Sequence, residues 1–201
     1  LERPTTLKDN QTKQVALMQA AEVPCRKEFL LNGSGHYYYQ RGGEIGRQIK
    51  VCVFVELTNN EENNMGMPLP KGIVRVYKND SQDRLQFVGE DRIDHTPRNE
   101  NIRLKLGDAF DITANKKQTE YDKISGSSRE SLVSESSYEI ELKNGKDEDV
   151  VVTVREPVPG DWTMVSESLK HRKTSSNTAE WKVTVPAMGS TTLKYRVRVK
   201  H

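Results

Sequence analysis

The stretch that decides the fold is residues 138–143, YEIELK, in which apolar and charged side chains alternate strictly. Successive side chains of an extended strand point to opposite faces, so this pattern predicts a strand with one buried face and one face in water. Residues 144–147, NGKD, have the composition of a tight turn, and the apolar run VVVTV follows at 150–154. The sequence therefore predicts a β-hairpin over 138–154.

Short runs with the same two-residue period recur along the whole chain, and proline or glycine separates them. No segment has the long apolar period of 3.6 residues that a helix crossing between parallel strands requires, so the sequence argues against parallel α/β folds. The pattern predicts an all-β protein. The predicted strands outside the hairpin are 14–18, 25–31, 49–58, 73–78, 85–88, 102–106, 109–113, 181–185 and 193–199.

The strands divide most simply at Gly107, between two alternating segments. This division predicts two antiparallel β-sandwiches in tandem, an N-terminal domain at 1–106 and an immunoglobulin-like domain at 107–201. Each half has the length of an immunoglobulin-like sandwich, although the second half lacks the cysteine and tryptophan spacing of antibody domains. Residues 125–137 contain seven serines and are predicted to form a long flexible loop. A second polar loop is predicted at 59–64.

Composition excludes some classes of protein. The chain has 201 residues, 30% of them charged and 34% hydrophobic, and no run approaches the roughly 20 apolar residues of a membrane span. Its 31 basic and 29 acidic residues leave a net charge of only +2, which gives no global field favouring nucleic acid. Recurrent apolar runs argue against a fully disordered chain.

The chain starts at Leu1 without the features of a signal peptide, and we expect it to be a fragment whose upstream region lies outside this sequence. Cys25 and Cys52 lie in two separate predicted strands. If these strands pair, a disulfide is one interpretation and buried free cysteines are the other.

The densest polar cluster is the predicted corner formed by Glu90, Asp91, Arg92, Asp94 and His95. Alternation places Glu90, Arg92 and Asp94 on one face, where they would form a row of ion pairs at the end of a strand. The alternative is a hydrolase or a metal-dependent enzyme that uses these carboxylates with His95. A metal site needs three or four converging ligands, and no spaced partner motif is present, so no metal and no cofactor is predicted.

Tyr37, Tyr38 and Tyr39 form the only aromatic run. Exposed tyrosines bind sugar rings or fill a pocket of a partner protein, because they offer rigid apolar area and a hydroxyl group. A strand that turns one or two of these rings into the core explains the run equally well.

Lys194, Arg196, Arg198 and Lys200 alternate along the last predicted strand and form a basic stripe. One interpretation is that such a stripe binds a phosphate or an anionic glycan. The other is that it is the hydrated face of a sheet, or a sheet edge that its charge protects against aggregation. The residues that alternate with the stripe include a single aromatic, Tyr195, and not the series of aromatic side chains of a nucleic-acid groove. Phosphate-binding loops, HExxH, CxxC, nucleophile-elbow and dinucleotide motifs are absent from the sequence.

The segments at 68–77 (PLPKGIVRVY), 89–97 (GEDRIDHTP) and 106–111 (LGDAFD) carry a resemblance to a known family. Together with 7–15 and 181–199, they resemble the bacterial domain-of-unknown-function family that forms the C-terminal part of mucoidy-inhibitor-like exported proteins. The resemblance implies a β-rich module behind an export signal and an upstream region, in the periplasm or at the cell surface. It implies no catalytic residues.

These observations favour a non-enzymatic recognition or scaffold module of an exported bacterial envelope protein. The expected partner is an envelope protein or a glycan, together with the upstream region of the same chain, and neither nucleic acid nor a membrane span is expected. The surfaces predicted to bind are Tyr37–Tyr39, the 59–64 loop and the corner from Glu90 to His95. The other hypotheses are the hydrolase described above and a spacer that only assembles with another chain.

Overall fold

The computed structural model describes residues 6, 8–12, 16, 18–125 and 132–200, and these residues form an almost purely β structure. The all-β prediction is confirmed. Among the described residues, the only helical segments are two 3-10 turns at Gly35–Tyr38 and Glu61–Asn63, and no helix has the length and apolarity needed to cross a membrane. The strands are β1 (Arg26–Asn32), β2 (Glu44–Thr58), β3 (Gly72–Asn79), β4 (Leu85–Ile93), β5 (Asn101–Ser125), β6 (Leu132–Asn144), β7 (Val150–Pro157), β8 (Asp161–Glu167), β9 (Arg172–Ser175), β10 (Thr178–Val185) and β11 (Ser190–Lys200).

Nine of these strands form one sheet in the order β8-β11-β6-β5-β2-β1-β7-β10-β9. The neighbours β1 and β7 are parallel, and all other neighbours in this sheet are antiparallel. The sheet folds over on itself, because Trp181 of β10 stacks on Tyr195 of β11 with ring centroids 4.9 Å apart. Its concave face encloses the main apolar core.

The predicted domain boundary at Gly107 lies inside β5, a single strand of 25 residues. β1 and β2 from the first half share the sheet with strands of the second half, and Phe29, Val51, Ile140 and Val183 belong to one core cluster. A tandem of two immunoglobulin-like sandwiches is therefore not confirmed. Gly107 marks a local irregularity instead, since its φ of 129° is compatible with glycine and it lies beside shifts in the β2–β5 register.

The predicted hairpin over 138–154 is wrong. β6 pairs with β5 and β11, whereas β7 pairs with β1 and β10, so the intervening turn crosses from one layer of the folded sheet to the other. Asn144 stabilises this crossing: its buried side-chain amide donates to the carbonyl oxygens of Glu148 (2.8 Å), Val185 (3.3 Å) and Pro186 (3.0 Å). Turn composition identified the turn but not which strands it joins.

The structure describes only part of the serine-rich segment that is predicted to be a loop. Residues 126–131 lie outside the described residues, but 132–137 belong to β6, and there the loop prediction is wrong. Ser134 and Ser136 are buried there because β5 and β11 supply backbone partners on both sides of the strand. The predicted strand at 14–18 also falls mostly outside the described residues.

Cys25 and Cys52 are free thiols, so the disulfide interpretation is wrong. β1 and β2 do pair, but the register sets Leu30 opposite Cys52 and Arg26 opposite Glu56. Cys25 therefore lies near the other end of the strand pair.

β3 and β4 form a separate two-stranded sheet, which we call the β3–β4 arm. Val74, Val76 and Ile93 pack on a second, smaller core around Leu69, Ile102 and Leu104. The predicted 59–64 loop contains the 3-10 turn at Glu61–Asn63 and is anchored by the buried Asn59, whose amide donates to the carbonyl oxygens of Met67 and Pro97.

Candidate functional site

The three consecutive tyrosines point in different directions. They lie at the end of the first 3-10 turn, where about three residues complete a turn and neighbouring side chains diverge. Tyr38 is completely buried, Tyr37 is half-buried, and Tyr39 is 55% exposed. Tyr37–Tyr39 therefore do not form a single aromatic surface, and Tyr39 is the most exposed of the three.

Tyr38 reaches a buried polar cluster made of Tyr38, Lys116, Glu156 and Tyr195, which we call the core charge cluster. Lys116 Nζ lies 2.7 Å from Glu156 Oε2, and both side chains are at most 2% exposed. The Tyr38 hydroxyl group lies 3.0 Å from the same Oε2, to which it donates, and 3.0 Å from the Tyr195 hydroxyl group. A charged pair in the centre of an apolar core is unusual, because burial penalises both ions.

Strand alternation places these two charges inside. In β5, Lys116 lies on the same buried face as Ile112 and Ala114. In β7, Glu156 lies on the same buried face as Val152 and Val154. Sequence reasoning overlooked both residues because it searched for clusters along the chain. Continuing each apolar alternation by two residues would have identified them.

The electrostatics of the cluster are dominated by burial. Desolvation lowers the pKa of Lys116 in spite of the adjacent Glu156 carboxylate, which acts to raise it. Burial and the same carboxylate hold the pKa of Tyr38 and of Tyr195 well above the ordinary phenol value. The Lys116 amine also lies 4.5 Å from the centroid of the Tyr37 ring, at cation–π distance.

One atom of the cluster is left without a partner. Among the buried side-chain nitrogen and oxygen atoms of the described residues, Glu156 Oε1 is the one that makes no hydrogen bond. Buried polar atoms are almost always paired, so an orphan carboxylate oxygen beside a desolvated amine identifies this as a strained position.

Gln118 ties the tyrosine segment to the sheet. Its side-chain oxygen accepts a hydrogen bond from the Gly42 backbone, and its amide donates to the Tyr138 hydroxyl group at 3.2 Å. Tyr138 in turn donates to the Tyr37 carbonyl oxygen at 2.8 Å. These bonds fix Tyr38 above Glu156.

The predicted corner spreads over the two faces of the β3–β4 arm. Glu90 lies on the exposed face, as does Arg92, and Glu90 pairs with Arg75 across the strands at 3.0 Å. Asp91 lies on the inner face, where its carboxylate accepts the backbone N–H of Lys105 at 2.7 Å. Asp91 therefore attaches the arm to β5.

Asp94 and His95 follow the end of β4. The Asp94 side chain is 92% exposed, and His95 Nδ1 accepts the Lys71 backbone N–H at 3.2 Å. Among the described residues, no three His, Cys, Asp or Glu side chains are grouped so that they could hold a metal ion. The structure thus brings Glu90, Asp91, Arg92, Asp94 and His95 along one edge of the arm but not around a common point.

The basic stripe on β11 is matched by acidic residues of neighbouring strands. Lys194 pairs with Glu139 of β6 at 2.8 Å, and Arg198 pairs with Glu135 of β6 at 2.5 Å. Arg196 bridges Glu135 to Glu120 of β5. Lys194, Arg196 and Arg198 of this face thus belong to a network of ion pairs with carboxylates of β5 and β6.

The β3–β4 arm exposes apolar side chains. Tyr77 and Phe87 face each other across the strands in an edge-to-face pair, with centroids 5.7 Å apart, and both are more than half exposed. Leu85 is 70% exposed on the same face as Phe87. We call Tyr77, Leu85 and Phe87 the arm face, and sequence reasoning missed it because these residues look like ordinary strand residues.

No family model, no curated protein and no solved structure matches the chain.

Proposed function

We propose that the chain is a non-enzymatic recognition module of an exported bacterial envelope protein, and that the arm face binds its partner. The observation that carries the proposal is the cluster of uncovered aromatic and aliphatic side chains at Tyr77, Leu85 and Phe87. Apolar patches on the surface of a folded protein are typical of interaction sites. The export part of the proposal rests on the family resemblance.

The arm face lies on the side of the arm that points away from the second core. Val74 and Val76 of β3 cover that core, and the register shift after Val76 skips Val88 of β4 but no residue of β3, so Tyr77 points to the side opposite Val76. Phe87 lies opposite Tyr77 across the strands, on this outer side. The outer side of a strand pair that needed no partner would be expected to carry polar residues.

β4 continues towards a further exposed ring on β5. Asp91 contacts Lys105, and Gly89 lies against Leu106, so the two strands run in opposite directions. Leu85 therefore lies towards the part of β5 that carries Phe110, whose side chain is 97% exposed.

The partner that fits is an extended segment of another protein with apolar side chains at alternate positions. Among the described strands, β3 and β4 pair only with each other, so both edges of the arm offer backbone donors and acceptors to an added strand. From Gly72 to Ile93 the arm has four basic residues (Arg75, Lys78, Arg84, Arg92) and four acidic ones (Asp80, Asp83, Glu90, Asp91), a net charge of zero. Apolar contact and backbone pairing, not charge, would then recognise the partner.

The test is a selection of random displayed peptides on the whole chain, followed by affinity measurements on the selected peptides. We expect peptides with alternating apolar residues, which bind a Leu85→Ser, Phe87→Ser double variant at least ten-fold more weakly. The matched control is Val165→Ser, which removes an exposed apolar side chain from β8 and should leave binding unchanged.

Three results would overturn the proposal for the arm face. The first is that the selected peptides bind the double variant as well as the native chain. The second is that the selection enriches no sequence. The third is that the native chain forms dimers and the double variant does not, because a second copy would then be the occupant. Binding to a glycan array that survives in the double variant would move recognition away from the arm.

A further inference from the structure

We propose that Lys116 and Glu156 condense to an intramolecular amide, so that the mature chain carries a covalent cross-link between β5 and β7. The site is independent of the arm face. It combines an amine and a carboxyl group held in contact, burial of both side chains and a hydrogen-bond donor on the carboxyl group.

The geometry places the reacting groups together. Lys116 Nζ lies 2.7 Å from Glu156 Oε2, so the carboxyl carbon bonded to that oxygen is within reach of the nitrogen. Groups held in this way react far faster than the same groups free in solution. Both side chains are enclosed, since neither is more than 2% exposed.

Two neighbours restrict the movement of the carboxyl group. A β-carbon at Gly33 would come within 2.4 Å of its Cδ atom, so the group lies directly against the backbone of that residue. From another side, the Tyr38 hydroxyl group donates to Oε2 at 3.0 Å. The carboxyl group therefore stays beside the amine.

The environment favours the neutral product. As an ion pair, the site holds two desolvated charges and the orphan oxygen Oε1. Condensation removes both charges and leaves Oε1 as the oxygen of a neutral amide, which relieves the main cost of the buried pair. Exclusion of water also protects the amide from hydrolysis.

The reaction balances without any further reagent. A proton passes from the Lys116 ammonium to Oε2 of Glu156, which gives a neutral amine and a carboxylic acid. The nitrogen lone pair attacks Cδ, the new Nζ–Cδ bond forms, and negative charge develops on Oε1. A second proton passes from the nitrogen to Oε2, to which the Tyr38 hydroxyl group also donates. The Cδ–Oε2 bond then breaks, Oε2 leaves as water with two of the three ammonium protons, and Oε1 stays as the amide oxygen.

The deciding experiment is the intact mass of the purified, folded chain, followed by peptide mapping. We expect a mass lower than that of the sequence by one water, about 18 Da, and a branched tryptic peptide that joins Lys116 to Glu156. Lys116→Arg should abolish this loss. The matched control Lys117→Arg should retain it, because the neighbouring Lys117 points outward to Glu139 and is 57% exposed.

Tyr38→Phe tests the role assigned to the hydroxyl group, and we expect the fraction of cross-linked chains shortly after refolding to fall several-fold. A folded native chain with the full mass and a linear Glu156 peptide overturns the proposal, as does a mass loss that maps to any other residue pair. If Lys116→Arg does not fold, the mass of the native chain and its peptide map still decide.

Discussion

The carboxyl group of Glu156 lies against Gly33, so closely that a β-carbon at position 33 would be 2.0 Å from Oε2 and 2.6 Å from Oε1. The two residues are also adjacent through the sheet, since the Gly33 backbone N–H donates to the carbonyl oxygen of Arg155 at 2.8 Å. Position 33 therefore favours glycine because a side chain has no room there. Its backbone conformation does not by itself demand glycine, since its φ is not in the left-handed region.

Gly33→Ala is expected to destabilise the fold by about 1–3 kcal/mol, the usual cost of overpacking a core. The added methyl group must displace the carboxyl group from Lys116 and Tyr38. Urea unfolding of the variant measures this cost. Gly43→Ala is the matched control, since nothing lies within 4 Å of a β-carbon there, and equal stability of the two variants would contradict the prediction.

The buried tyrosines predict a loss of stability in alkali. Burial raises the pKa of Tyr138 from the ordinary 10.0 to about 12, so between these values the folded state holds a proton that the unfolded state has released. The stabilising contribution is complete below pH 10 and is lost as the pH rises through 12. It falls by about 1.4 kcal/mol per pH unit for one phenol.

Urea unfolding of the native chain and of Tyr138→Phe at pH 9, 10 and 11 checks this sign. The free energy of unfolding of Tyr138→Phe should decline less steeply above pH 10, because one of the shifted phenols has been removed. Parallel curves for the two proteins would show that Tyr138 titrates normally.

Asn144→Ala should destabilise the chain by about 1–3 kcal/mol, because it removes the donor of three carbonyl oxygens, one in a buried hydrogen bond and two in part-buried ones. The crossing between β6 and β7 depends on these bonds. Asp147→Ala, an exposed position in the same turn, should change the free energy of unfolding by less than about 0.5 kcal/mol. Thermal unfolding compares the two, and a harmless Asn144→Ala would show that the turn needs no cap.

Gly89→Ala should loosen the β3–β4 arm. A β-carbon at position 89 would be 2.7 Å from the Leu106 carbonyl oxygen, so the arm must move away from β5 and lose the hydrogen bond from Lys105 to Asp91. Hydrogen exchange of β3 and β4 peptides is expected to accelerate, while that of β6 and β11 stays unchanged. In Gly72→Ala the nearest neighbour of the new β-carbon is 3.9 Å away, and its exchange should match the native chain.

The candidate residues show where sequence reasoning reached the structure. Alternation at Glu90, Asp91 and Arg92 correctly separated the exposed face of the arm from its inner face. For Tyr37–Tyr39 the prediction of one or two inward rings describes Tyr38. The sequence did not identify Lys116 or Glu156, because they are 40 positions apart in the chain and their contact depends on strand order.

The sequence by itself determined the strand content, since a two-residue period depends only on which side chains are apolar. It also located most strands and several turns from local composition. The tertiary structure alone decided that residue 144 crosses between layers, that 107 lies inside one long strand and that Cys25 is far from Cys52. Which strands pair depends on the free energy of burying whole sheet faces against each other. That free energy is a sum over residues that are distant in the chain, so a local sequence pattern cannot predict it.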